Sequence, residues 1–290
     1  MGSFNRKGCI LFIRDRFKRL IIPTLFYIIL LNPFVQFLSF GNINYNIYDF
    51  ISGTGVMWFT VALFIFSLFY ALCRFFSQEP DLLSNNIELS FKKVLILILL
   101  ISVSVFILRI FFPIGSIIFN MQLSYFASYI VLFIMGIVAY KTNLFSKIDY
   151  KTGKKWLISG VFVGFVAWFV LITIVGKSNT VVAINGGLTW QSAAYSTWES
   201  FVAVAMSIGL VALFKEKLNY QTRLLKTLSD NSFTVYMIQL AIITPIILLF
   251  EPVALHPIVK WLLMCLICMP VCFIISNYFV RKIPLLKSFL

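Results

Sequence analysis

Few side chains in this sequence can do chemistry, and they are concentrated in a few places. Glu199 stands inside a long apolar stretch, in GGLTWQSAAYSTWES (Gly186–Ser200), with Trp190, Gln191, Tyr195 and Trp198 crowded around it. A carboxylate at membrane depth is costly unless a cation or a ligand meets it. Arg109, ending one apolar segment, and Lys260, beginning another, are the cations placed to do so. Such a pair is either structural or a contact for substrate. Flat rings with amide and carboxylate partners suit a sugar or another polar alcohol, although an interfacial aromatic belt accounts for the Trp and Tyr equally well. A second concentration is Arg14–Pro23, RDRFKRLIIP, where a cation cluster runs into the first long apolar segment. It reads either as a topogenic flank or as a site for a polyanionic cofactor at the membrane surface.

Other chemistries find no support. His256 is the one histidine, in EPVALHP, where it reads as a solvated loop residue. No HExxH, paired CxxC, GxSxG or phosphate-cradling glycine motif occurs, which argues against zinc proteases, serine hydrolases and P-loop motors. Cys265, Cys268 and Cys272 are spaced to share one helix face and read as packing residues, so no metal site is expected. The net charge of +14 sits in short Lys and Arg clusters flanking apolar runs, a topogenic distribution that does not call for nucleic acid.

The elements that must position these residues are membrane spans. The chain is 61% hydrophobic and 12% charged, with mean hydropathy +0.97, far from a soluble composition. Eight segments are long and apolar enough to cross: Leu20–Phe40, Val56–Phe76, Val94–Phe112, Tyr125–Tyr140, Trp156–Val175, Ala193–Phe214, Ser232–Phe250 and Ile258–Val280. The fourth is short and could begin at Gln122–Ser124. Of the 24 Lys and Arg, 21 fall on alternate connections, leaving Arg109, Lys177 and Lys260 on the other side. The positive-inside rule then puts both termini in the cytoplasm. At ~1.5 Å per residue, Glu199 lies ~24 Å from Lys215 and hence near the outer surface. The expected fold is an all-α polytopic membrane bundle forming a single domain over residues 1–290, without a cleavable signal peptide. Asn32-Pro33, Pro245 and Pro270 interrupt spans and are either tolerated kinks or unwound, ligand-lining breaks.

Seven stretches, in order, resemble the acyltransferase-3 family of multi-pass membrane acyltransferases. They are RDRFKRLIIP at Arg14, GVMWFTVALFIFSLFYAL at Gly55, RIFFPIG at Arg109, LSYFASYIVLFIMGIVAYK at Leu123, GGLTWQSAAYSTWES at Gly186, NSFTVYMIQ at Asn231 and RKIPLLKSFL at Arg281. The resemblance implies transfer of an acyl group, acetyl or succinyl, from acyl-CoA to a hydroxyl of a carbohydrate or lipid-linked acceptor, in a bacterial inner membrane. It implies that Arg14 and Arg16 face the CoA phosphates, and that Trp58, Arg109, Trp190, Gln191, Trp198, Glu199, Tyr236 and Gln239 belong to the substrate side. Relative to the family's ten helices the chain is expected to lack the first two, and with them a His in the first. Gln239 stands where relatives commonly carry a second His. No catalytic base is thereby assigned, Glu199 being the one embedded carboxylate to consider. The alternative is a catalytically inactive component that binds or helps export a glycan or lipid.

Overall fold

The structure, a computed structural model, describes residues 2–41, 53–76, 89–177 and 181–283. The terminal stretch beyond Ile283, with Lys287, and the Lys177 side chain lie outside the described residues. Eight helices are long and apolar enough to cross a membrane: α1 (Arg6–Phe40), α2 (Gly55–Phe76), α3 (Phe91–Phe111), α4 (Leu123–Lys141), α5 (Tyr150–Val175), α6 (Trp190–Lys217), α7 (Arg223–Phe250) and α8 (Pro257–Lys282). The protein is an all-α integral membrane protein; a two-residue ladder, β1 (Ile117–Ile118) with β2 (Met121–Gln122), is the sheet among the described residues.

The helices outrun the apolar windows that mark them. The first span reaches back to Arg6 rather than beginning at Leu20, and the fourth starts at Leu123. The sixth begins at Trp190, not Ala193, because the Thr189 hydroxyl accepts the Ser192 N–H at 3.2 Å and caps the helix there. Hydropathy records what lipid will accept, whereas a helix ends where its first N–H groups find acceptors.

The described elements form two compact units. The first contains α3 to α6. Its core is built from Val94, Ile98, Ile101 and Val105 of α3, Trp156 of α5, and Val204 and Ala205 of α6. Small residues let α5 and α6 meet closely: a Cβ on Gly209 would stand 2.6 Å from Leu157 Cβ. That close approach is how helices bind one another in lipid, where apolar burial gives no preference for protein over lipid. Ser102 and Thr197 join α3 to α6 by a 2.7 Å hydrogen bond.

The second unit contains α1, α2, α7 and α8 around Tyr27, Ile28, Met57, Met237 and Ile238. Proline shapes α1. Pro23 and Pro33 each follow a π-helical turn, Phe17–Ile21 and Tyr27–Leu31, whose closing bonds run from the Ile22 N–H to the Phe17 carbonyl and from the Asn32 N–H to the Tyr27 carbonyl. A wider turn makes room for a ring that would otherwise crowd the preceding carbonyls. Pro245 and Pro270 lie inside continuous helices. None of the three interruptions read from the sequence is unwound. Gly41, with φ 65°, closes α1 as a left-handed cap. Buried Asn231 in α7 accepts from the Ser276 hydroxyl of α8 at 2.7 Å and donates to Asn277 Oδ1 at 3.3 Å.

Candidate functional site

In the first unit the end of α3, the start of α4 and the first third of α6 converge on one buried cation. Arg109 is fully buried. Its Nη2 donates to Glu199 Oε2 at 2.5 Å, and its Nη1 donates to the Ser196 hydroxyl at 3.1 Å. The guanidinium carbon lies 5.1 Å from the Tyr125 ring centre and 4.9 Å from that of Tyr195. The charge is thus met at its two Nη groups by a hydroxyl and a carboxylate and at its faces by π-systems, contacts that suit a desolvated guanidinium.

Local sequence explains why the side chain reaches inward. Helical side chains lean toward the N-terminus of their helix, so a residue near the end of α3 aims back into the membrane. The backbone end is fixed by the glycine pair. The Gly187 N–H donates to the Arg109 carbonyl at 3.2 Å. A Cβ on Gly186 would come within 2.6 Å of that same oxygen, so a glycine is required for the loop to sit there. Ile114 N–H donates to the Asn185 carbonyl at 2.7 Å and completes the clasp.

Beside the pair stands an aromatic wall. Trp198 stacks on Trp168 at 4.7 Å and on Tyr195 at 5.6 Å. Its indole N–H donates to the Gly164 carbonyl at 2.7 Å. Trp198 is therefore tied to α5, with its polar edge occupied. Trp190 is 57% exposed at the start of α6, as an interfacial ring would be, and Gln191 is buried next to it. Of the two partners read for Glu199, Arg109 takes it, while Lys260 donates to the Glu251 carbonyl at 3.2 Å.

The Glu199 side chain is 22% exposed, against none for Arg109. Oε2 is held by the guanidinium, which leaves Oε1 to accept a further donor. Arg109 Nε and the Ser124 and Ser192 hydroxyls are buried without a hydrogen-bond partner among the described residues. Ser124 adjoins Tyr125, and Ser192 lies one helical turn before Ser196. Unsatisfied buried polar atoms are uncommon enough to need an account; one of these belongs to the ion pair itself, and the other two lie on the elements that contribute Tyr125 and Ser196 to it. Tyr125, Ser196, Trp168 and Ser192 were not among the residues singled out from the sequence. Thr189 with Ser192 as a helix start was a readable signal for the last, but nothing local distinguishes Tyr125.

The remaining expected site residues lie in the second unit. Arg14 is exposed and Arg16 half-buried in the first stretch of α1, with the Arg16 guanidinium 5.1 Å from the Phe12 ring centre. Between them Asp15 is paired with Lys7, a contact across the break at Gly8, where φ is 76°. Trp58 is half-buried at the start of α2 and lies edge-on to Phe59. The Tyr236 hydroxyl donates to the Val56 carbonyl, and Gln239 is half-buried one turn further along α7. His256 is exposed, and its Nδ1 accepts the Ile258 N–H at 3.4 Å, a helix cap. Cys268 and Cys272 are buried and Cys265 is exposed, all three free. No group of three or more potential metal ligands occurs among the described residues.

Eight apolar helices carrying a desolvated Arg–Glu pair define a polytopic membrane protein with a polar centre inside its apolar frame. A family model described as an acyltransferase domain matches residues 1–277. The chain belongs to that family, acyltransferase-3, and its membrane helices suit a membrane acyltransferase. No curated protein and no solved structure matches it.

Proposed function

We propose that the protein transfers a short acyl group, acetyl or succinyl, from acyl-CoA to a hydroxyl of a carbohydrate or lipid-linked acceptor in a bacterial inner membrane, with both its termini on the cytoplasmic side. The observation that carries this reading is the family match along residues 1–277. The acceptor hydroxyl donates its hydrogen bond to Glu199 Oε1, the carboxylate being oriented by Arg109. Gln191 and the Trp190 and Trp198 rings supply the polar and flat surfaces a sugar needs. Arg14 and Arg16 pair with CoA phosphates, a task suited to guanidinium forks. Trp58, Tyr236 and Gln239 belong to the substrate side. In the reaction the hydroxyl oxygen forms the new ester bond to the thioester carbonyl carbon, the carbon–sulfur bond breaks, and the hydroxyl proton ends on the CoA thiol.

The test is thiol release by the purified full chain in phospholipid vesicles, with acetyl-CoA or succinyl-CoA and extracted cell-envelope glycolipid as acceptor. Acceptor-dependent release of free CoA is expected, and radiolabel should appear in the glycolipid. Binding of radiolabelled acyl-CoA without any release would leave a binding component in place of an enzyme. Binding unchanged in Arg14→Ala/Arg16→Ala would remove those residues from the donor site.

A further inference from the structure

The first unit holds two neighbouring cavities at the end where its Lys-rich connections lie, with no lining residue shared with the Arg109 centre. One, of about 320 Å³, is framed by the start of α3, the end of α4, the short helix Leu144–Lys147 and the later part of α6. Its wall is apolar, from residues such as Leu97, Leu132, Met135 and Ile208. The exceptions are Lys93 and Ser207, and the Ser207 hydroxyl donates to the Ala203 carbonyl at 2.7 Å, so its polarity is spent within the helix. The other, of about 290 Å³, is mixed: Thr152, Ser159 and Lys155 line it with the Phe91 and Trp156 rings, which stack at 5.6 Å. Leu89 forms part of both walls.

We propose that this pair of cavities is a binding site for one anionic phospholipid of the surrounding bilayer, its headgroup in the Lys155 notch and part of one acyl chain in the apolar cavity. The larger cavity has room for about ten methylene-sized groups, taking ~30 Å³ for each as for a water molecule in the liquid. That space is too dry for a polar ligand and too long for a two-carbon acyl group alone. Charge complementarity selects the headgroup. Lys93 and Lys155 each line one cavity, and Lys92, Lys151 and Lys154 stand on the same helix starts. Among the described residues Asp149 stands at the same helix start, and its carboxylate accepts the Thr152 N–H at 3.3 Å. The first turn of α3 adds to the field, since the positive end of that helix lies here and Ser90 makes no side-chain cap to it. Basic pockets between spanning helices are where anionic headgroups are recognised.

Gly136 makes the site testable. It lines the apolar cavity, and a Cβ built on it meets nothing within 4 Å. The first atom of a side chain can therefore be placed at the cavity wall without displacing a neighbour. The delipidated full chain in detergent is titrated with palmitoyl-oleoyl phosphatidylglycerol or phosphatidylcholine, and retained lipid is counted by native mass spectrometry. Wild type is expected to retain one phosphatidylglycerol with about 30-fold preference over phosphatidylcholine, the preference expected of two lysines near an anionic head. Lys93→Gln/Lys155→Gln should bring the two lipids level. Gly136→Leu should abolish retention of both, while Gly136→Ala retains them. Phosphatidylglycerol should raise the melting temperature of wild type and not that of Gly136→Leu, whose lipid-free melting temperature should match wild type. Equal retention of the two lipids by wild type, or undiminished retention by Gly136→Leu, would overturn the assignment. So would displacement of phosphatidylglycerol by equimolar palmitoyl-CoA, which would make the cavity a donor site.

Discussion

Truncating Glu199 should expose how much the buried pair matters. Glu199→Ala leaves the Arg109 guanidinium fully buried, with one hydroxyl and two tyrosine rings as its remaining partners. Removing one member of a buried ion pair costs about 3–5 kcal/mol, because the surviving charge stays desolvated. At roughly 2–4 °C per kcal/mol for a chain of this size, the melting midpoint should fall by on the order of 10 °C. Glu199→Gln keeps an acceptor for Nη2 and gives up its charge, so its cost should be smaller, about 1–2 kcal/mol. The informative variant is Arg109→Met with Glu199→Leu, which removes both charges together. Replacing a buried pair by apolar groups is often neutral or stabilising, so the double variant should recover most of the lost stability. Acyl transfer should remain abolished in it. The assays are thermal unfolding of detergent-solubilised protein, followed by tryptophan fluorescence, and CoA release in vesicles. A Glu199→Ala protein that melts with wild type would refute the energetic reasoning. Full acyl transfer by the double variant would make the pair purely structural.

Three further outcomes follow from the packing and the charge. Gly209→Leu should push α6 from α5 at Leu157 and destabilise by about 1–3 kcal/mol, the usual cost of overpacking, measured as a lower midpoint in the same melt. Asn231→Leu should strand the Ser276 hydroxyl and the Asn277 amide between α7 and α8, for about 1–3 kcal/mol; Asn231→Leu/Ser276→Ala should recover part of that. Acyl-CoA binding by Arg14 and Arg16 should weaken as salt is raised, since both are exposed or half-exposed, and Arg14→Ala/Arg16→Ala should flatten the salt dependence in a filter-binding titration.

The eight helices were legible because lipid cannot hydrogen-bond a backbone, so every span must advertise itself as a continuous apolar run. Helix ends were less legible. Ala193 looked like a beginning because Trp190 and Gln191 dilute the hydropathy there, whereas the Thr189 hydroxyl starts the helix three residues earlier. The charged centre announced itself through the cost of Glu199 and Arg109 at membrane depth. Its partners did not. Tyr125 is one of twelve tyrosines, and only the approach of the α4 start to the end of α3 puts its ring on a guanidinium.

Sequence alone therefore determined the membrane class, the number of spans and the short roster of residues able to carry charge in lipid. Each of those follows from a solvent that penalises polar groups wherever they stand along the chain. Tertiary structure decided which groups meet. Glu199 goes to Arg109 while Lys260 turns to the Glu251 carbonyl, and Trp198 gives its N–H to Gly164. The Tyr236 hydroxyl is likewise taken by Val56. Partner choice between buried polar groups is fixed by helix packing at contact distance, and that packing depends on small residues such as Gly186 and Gly209 whose role appears only once a second backbone lies against them.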